Sequence, residues 1–280
     1  MKLAQLKISV VLLVAIGCVR PAHAQLLETE SARLLPRGGI EAGSNFEYQT
    51  SGEGSESAVP LFFEVGISNR IELTVEPVVR TAIRPKNSTQ ATGAGDIEVT
   101  GTWLARQETH GFPALAFAGE VKFPTARNPL IGTGAVDVAG YLILSKHFGR
   151  LDTWYNLSYT FVGQPPGVQL NNIFGFAAAA VWTIKEKNWL FAEVLGNTAA
   201  TSTPESVGPV PPSGFVPEAA GGELVGTLGV ARFVTSSLQF AFSASIDNQG
   251  ALLFRPGFMW RIRGGGRAIG TNPNHPFIGN

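Results

Sequence analysis

The chain repeats one pattern about twelve times between Ile40 and Ile262. Each unit is some ten residues of alternating apolar and polar side chains, as a membrane-crossing strand requires. Successive side chains of a strand point to opposite faces, so such a unit has one apolar face and one polar face. Ile71, Leu73, Val75, Pro77 and Val79, for example, alternate with Glu72, Thr74, Glu76 and Arg80. Alternation puts one face of each strand toward lipid and the other toward a polar interior, and connections that are alternately short and long put tight turns at one rim of a barrel and long loops at the other. The expected fold is therefore all-β, an antiparallel transmembrane barrel of about twelve strands.

The connections carry the orientation. Short turns are expected near 68–70, 106–111, 147–150, 185–188 and 235–237, and longer loops near 50–57, 84–94, 124–134, 164–172, 200–222 and 247–251. In outer-membrane barrels short turns face the periplasm and long loops the outside. An even strand number then leaves both ends of the barrel on the periplasmic side. Two segments test the periodicity. Pro77 removes a ladder donor within a strand, and Ala177 to Ala180 is compatible with a helix. Phe174, Phe176, Trp182 and Ile184 nevertheless keep period two around the alanines.

Composition agrees. Only 15% of residues are charged, with 33 glycines and 18 phenylalanines, which suits a β protein whose outer face meets no water. The 21 basic and 21 acidic residues balance, which argues against a nucleic-acid partner. Lys2 and Lys7 precede an apolar run from Ile8 to Val19 that is too short to span a bilayer, and Ala22-His23-Ala24 offers a cleavage site. Residues 1–24 are thus expected to be an export signal, with Ala15 a poor start for lipid attachment at Cys18. The remaining divisions are 25–38 as a periplasmic leader or plug, 39–262 as the barrel and 263–280 as a flexible tail. Leu26, Leu27, Leu34 and Leu35 suit one face of a short helix entering the lumen; a free leader is the alternative. Removal of the signal takes away the only cysteine, so neither disulfide nor thiolate chemistry is expected.

Parity assigns the inner wall. Glu72, Glu76, Arg80, Asp96, Glu98, Glu120, Lys122, Asp137, Glu193 and Arg255 are expected to line the lumen. They either pair across strands and fill it or form a polar path, and acids outnumber bases, which favours cations in an open pore. Trp103, Trp154, Trp182, Trp189 and Trp260 all fall at strand ends beside the short turns. An indole prefers the membrane–water boundary, so the five are expected to form an interfacial girdle; Trp154 and Tyr155, as neighbours, cannot both face out. No catalytic residue is assigned, because His110 and His147 lie at turns and His275 in the tail, with no serine placed for acyl chemistry. Neither a metal site nor a cofactor is expected, since the histidines are far apart and the glycine clusters lack a strand–helix setting.

Six fragments resemble the outer-membrane barrel family named for the meta-cleavage pathway of phenol degradation. They are Glu64–Leu73, Gly93–Val99, Val121–Thr125, Gly132–Gly134 with Asp137-Val138, Leu144–Gly149 and Asn156–Phe161. They occur in order across residues 65–163. The resemblance implies an outer-membrane transporter for small, hydrophobic or aromatic compounds, and carries over no binding residue. The expected partners are outer-membrane lipid and the barrel-assembly machinery, with a monomer as the functional unit. The alternative is a non-conducting structural barrel that displays its loops. The tail to Asn280 departs from barrels that end on an aromatic residue, which leaves that assembly signal unassigned.

Overall fold

A computed structural model describes residues 27–200 and 222–263. The expected signal peptide, most of the 200–222 loop and all but the first residue of the tail lie outside the described residues. Fourteen strand segments are present: β1 (Ile40–Asn45), β2 (Glu47–Thr50), β3 (Gly54–Ser68), β4 (Ile71–Pro85), β5 (Ala91–Gly93), β6 (Ile97–Arg106) and β7 (Ala114–Phe123). The second half comprises β8 (Asp137–Phe148), β9 (Leu151–Phe161), β10 (Ile173–Lys185), β11 (Asn188–Asn197), β12 (Glu223–Phe233), β13 (Leu238–Asp247) and β14 (Leu252–Arg263). β1 with β2, and β5 with β6, each form one interrupted stave, so the barrel has twelve staves. Neighbours pair antiparallel throughout, and β14 pairs with both β1 and β2 to close the ring.

Alternation decides which side each residue takes. Leu73, Phe117, Leu157, Phe176, Leu228 and Phe242 are exposed on the outer wall, whereas Glu41, Glu64, Glu72, Asp152 and Gln239 are buried inside. The alanine run of β10 is a strand with Phe174, Phe176, Trp182 and Ile184 all outward, so period two prevails over the helical preference of alanine. The turns at 69–70, 149–150 and 186–187 are tight, as expected. Gly149 takes φ +66 in the second of these, a conformation costly for residues with a Cβ. On the opposite rim β2 and β3 join through 51–53, and β13 and β14 through 248–251. Two of the connections expected to be long are therefore short hairpins.

Two expectations about direction are corrected. Arg80 faces outward and is exposed, because β4 carries a bulge: Val59 opposes Arg80 but Pro60 opposes Val78, leaving Val79 as an extra residue. One inserted residue inverts the parity of everything beyond it. Arg80 consequently cannot pair with Glu72 or Glu76. The indoles divide in the same way. Trp103, Trp182 and Trp260 are about half exposed on the outer wall, but Trp154 (5%) and Trp189 (1%) point inward. Trp154 shares the inward face of β9 with the fully buried Asp152, and the adjacent Tyr155 takes the outer side. Trp189 packs edge-to-face on Phe233 with ring centroids 5.6 Å apart. An inner apolar cluster of Trp154, Val181, Trp189, Phe191, Phe233 and Met259 thus lies within the lumen.

Single-tryptophan variants in brominated-lipid vesicles check this division. Fluorescence of Trp103, Trp182 or Trp260 alone is expected to be quenched, and that of Trp154 or Trp189 alone to be spared. Quenching of all five would place the whole set in the girdle.

A lumen closed by the N-terminal segment

Residues 27–39 run inside the barrel as an irregular peptide of bends and coil that ends in a turn at 37–38. The segment does not form the expected short helix. Its backbone N–H groups explain why: they donate to side chains of the wall instead of to one another. Thr29 donates to Glu193 (2.7 Å), Glu30 to Asn156 (2.6 Å), Ala32 to Ser145 (2.8 Å) and Leu35 to Glu72 (2.6 Å). Arg37 donates to Asn69 at the rim (3.1 Å), and Asn156 returns a bond to the Glu30 carbonyl (2.9 Å). A buried amide left unpaired would cost about 1–3 kcal/mol, so these acceptors are what permits an irregular backbone in the barrel interior. Glu193, one of the residues expected to line the lumen, also accepts the Thr29 hydroxyl (2.6 Å).

The side chains divide between two walls. Leu27 packs into the cluster around Trp189 and Phe233. Ala32 and Leu34 pack on Leu104, Ala116 and Ile143 across the lumen. Leu35 is buried below the turn between β3 and β4. Pro36 and Gly38-Gly39 then bend the segment into β1, with Gly38 at φ +75. There Gly38 N–H bonds the Gly66 carbonyl (2.7 Å) and Gly66 N–H bonds the Gly39 carbonyl (3.0 Å). A Cβ at residue 66 would lie 2.2 Å from the Pro36 carbonyl oxygen, so only glycine lets the segment lie flat on β3.

A charged lock fastens the segment at the periplasmic rim. Arg33 reaches Asp152 and Glu108 together, the latter at 2.8 Å. Asp152 also meets His147 Nδ1 (3.1 Å), and Glu108 accepts the His147 backbone N–H (3.0 Å) and lies 3.3 Å from Lys146. Partial burial opposes ionisation of Glu108, yet these donors together hold its carboxyl below the ordinary value of 4.5. His147 is absorbed by this lock, and His110 contributes only its carbonyl to Lys146 (3.0 Å).

Above the segment the lumen continues as a cavity of about 190 Å³. Asp96, Lys122 and Arg255 are buried on its wall, with Glu76, Glu98 and Glu120 half-buried. Lys122 forms an ion pair with Asp137 and stands across the ladder from Glu98. Arg255 bridges Glu47 (2.8 Å) and Glu28 of the segment (2.6 Å). Glu120 accepts from Tyr141 (3.1 Å) and Thr100 (3.3 Å). The expected lining residues are therefore split: Glu72 and Glu193 hold the segment, Asp137 neutralises Lys122, Arg80 lies outside, and the others surround the cavity.

No protein-family model and no curated protein matches the chain. Solved structures do resemble it. The NanC porin aligns with TM-score 0.55 at 9% identity, over 79% of this chain and all of that one. The KdgM porin in complex with disordered oligogalacturonate aligns with TM-score 0.52 at 8% identity, over 80% of this chain and 99% of that one. The chain has the fold of an outer-membrane porin barrel. Identities this low carry the architecture alone.

Two measurements check the seating. In Ala32→Cys protein, adding Gly66→Val is expected to raise the rate of labelling by a water-soluble maleimide at least tenfold; an unchanged rate would contradict the described path. The Glu108 carboxyl is lowered in the folded state, so its contribution is present above pH 4.5 and is lost as pH falls through its folded value. The labelling rate of Ala32→Cys, divided by that of the unfolded protein at the same pH to remove the thiol's own pH dependence, should accordingly rise on acidification below about 4.5, and Glu108→Gln should flatten that part of the profile.

Proposed function

We propose that the protein is an outer-membrane channel for small compounds, closed at rest by its own N-terminal segment. The observation that carries this is the path of residues 27–39 through the lumen, held by acceptors from several strands. A structural barrel would need only a packed interior. Here a segment fixed at one end by β1 spans the periplasmic half, beneath a cavity bordered by charged and apolar side chains. The lock between Arg33 and the pair Asp152 and Glu108 is polar and near the rim, where a change of partner can release it.

The barrel is a monomer in the outer membrane, inserted by the barrel-assembly machinery and surrounded by lipid against its aromatic outer wall. The six ordered fragments support placing it in the family named for the meta-cleavage pathway of phenol degradation, with hydrophobic or aromatic compounds as cargo. The acid-rich wall disfavours polyanions such as the oligogalacturonate bound by the KdgM porin. A porin-type fold and a lumen given over to seating its own segment support a channel reading over an enzymatic one.

Planar-bilayer recording tests this. Wild-type protein is expected to be mostly silent with rare openings, and a variant lacking residues 27–35 to give stable ohmic steps with cation preference. Arg33→Ala should lie between them, with open probability raised about tenfold or more. Silence of the deletion variant, once folded and inserted, would favour the non-conducting barrel.

A further inference from the structure

The parity inversion at Val79 puts charge on the lipid side of the wall. Beyond the bulge Arg80 stands opposite Val59 and Arg84 opposite Ser55, both on the outer face and both exposed. The covered Ala82 lies between them on that face, with Ser57 across one ladder and Thr92 across the other. Tyr48, 40% exposed, adjoins Ser57 on the far side. Two guanidinium groups and three hydroxyl groups therefore share one sector of the outer surface. On β7, β8, β9, β10, β12 and β13 the same end of the outer face is apolar, with Phe123, Val138, Phe161, Phe174, Leu224 and Ile246 all exposed.

Height decides what this sector meets. Ile71 begins the outer face of β4 opposite Trp103, at the periplasmic edge of the apolar band. The nine residues from there to Arg80, at about 3.3 Å each and a tilt of about 40°, rise roughly 23 Å along the membrane normal. The apolar band of such barrels is about 25 Å tall, so Arg80 stands at its outer edge and Arg84 about 10 Å higher. An arginine on the lipid face is strongly destabilising at the midplane and tolerated at this boundary. Among the described residues neither side chain has an ion pair or hydrogen bond. On the adjoining strand Glu56 lies opposite Ile83 on the inner face. Above the two arginines, Glu53 and Lys86 contribute one charge of each sign.

We propose that Arg80 and Arg84 bind one headgroup of the phosphorylated glycolipid of the outer leaflet, with Ser57, Thr92 and Tyr48 bordering its sugar. A guanidinium fork matches two phosphate oxygens at once, and its long apolar stem lies along the wall while the head reaches the polar layer. Basic groups at the level of the headgroups also attract anionic lipid from a distance. A phosphorylated sugar presents phosphate and hydroxyl groups together, which is the mixture this sector offers partners to. The site lies outside the lumen and holds whether or not the barrel conducts.

Native mass spectrometry of the full-length barrel in detergent tests it, with diphosphorylated lipid A as the probe. Lipid A is expected to bind saturably with one adduct per barrel, and its dephosphorylated form and phosphatidylglycerol at least tenfold more weakly. Arg80→Gln with Arg84→Gln should weaken lipid A at least tenfold, and either substitution alone at least threefold. Both residues face outward, and a retained gel shift on heating confirms that each variant is a folded barrel. Arg232→Gln, exposed at the other end of the outer wall, should leave binding unchanged. Equal binding of the dephosphorylated lipid would show a purely apolar contact, and equal binding of phosphatidylglycerol a general attraction to anionic lipid; either result would overturn the proposal. So would a double variant that binds like the wild type, or an equal loss in Arg232→Gln.

Discussion

Hydrogen-bond satisfaction of the backbone governs this structure twice. In the wall it requires the ladder to close, which β14 accomplishes by pairing with both β1 and β2. In the lumen it decides what an irregular peptide can do. The N-terminal segment can lie there because Glu193, Asn156, Ser145 and Glu72 present acceptors along its path. The same residues that make the inner wall polar therefore make it a receptor for the chain's own beginning.

This changes the meaning of the charged interior. A narrow barrel can fill with cross-strand ion pairs and be inert. Here the lumen is layered instead. At the periplasmic side Arg33 binds the lock of Asp152 and Glu108, and the indoles of Trp154 and Trp189 form an apolar layer that receives Leu27. Above it lies a cavity in which acids outnumber bases. Arg255 joins the layers, since it pairs at once with Glu47 of the wall and Glu28 of the segment. Movement of the segment would thus alter the charge and the floor of the cavity together.

The architecture was legible because its signal is local. Period-two alternation is written in each strand, and it settled even the alanines of β10. It failed where one residue was inserted: nothing in Pro77-Val78-Val79-Arg80 marks Val79 as a bulge, and Arg80 was assigned to the wrong face. For Trp154 and Trp189 two local rules competed, interfacial preference of indole and strand parity. Parity prevailed because the inner apolar layer supplies an alternative home for the rings. The segment's apolar spacing hinted at a plug, but its partners could not be read, because Thr29 meets Glu193 across 164 positions of sequence. Gly66 was visible as a glycine in a family-like fragment, yet its purpose depends on Pro36 lying over it.

The central claim is that the lumen is closed by a segment that can leave it. A disulfide between Thr29→Cys and Glu193→Cys, recorded in bilayers before and after reduction, tests it most directly. The account predicts no openings from the oxidised protein and openings that appear on reduction of the same inserted molecules. Equal conductance in both states would contradict it, because current would then pass with the segment fixed in place.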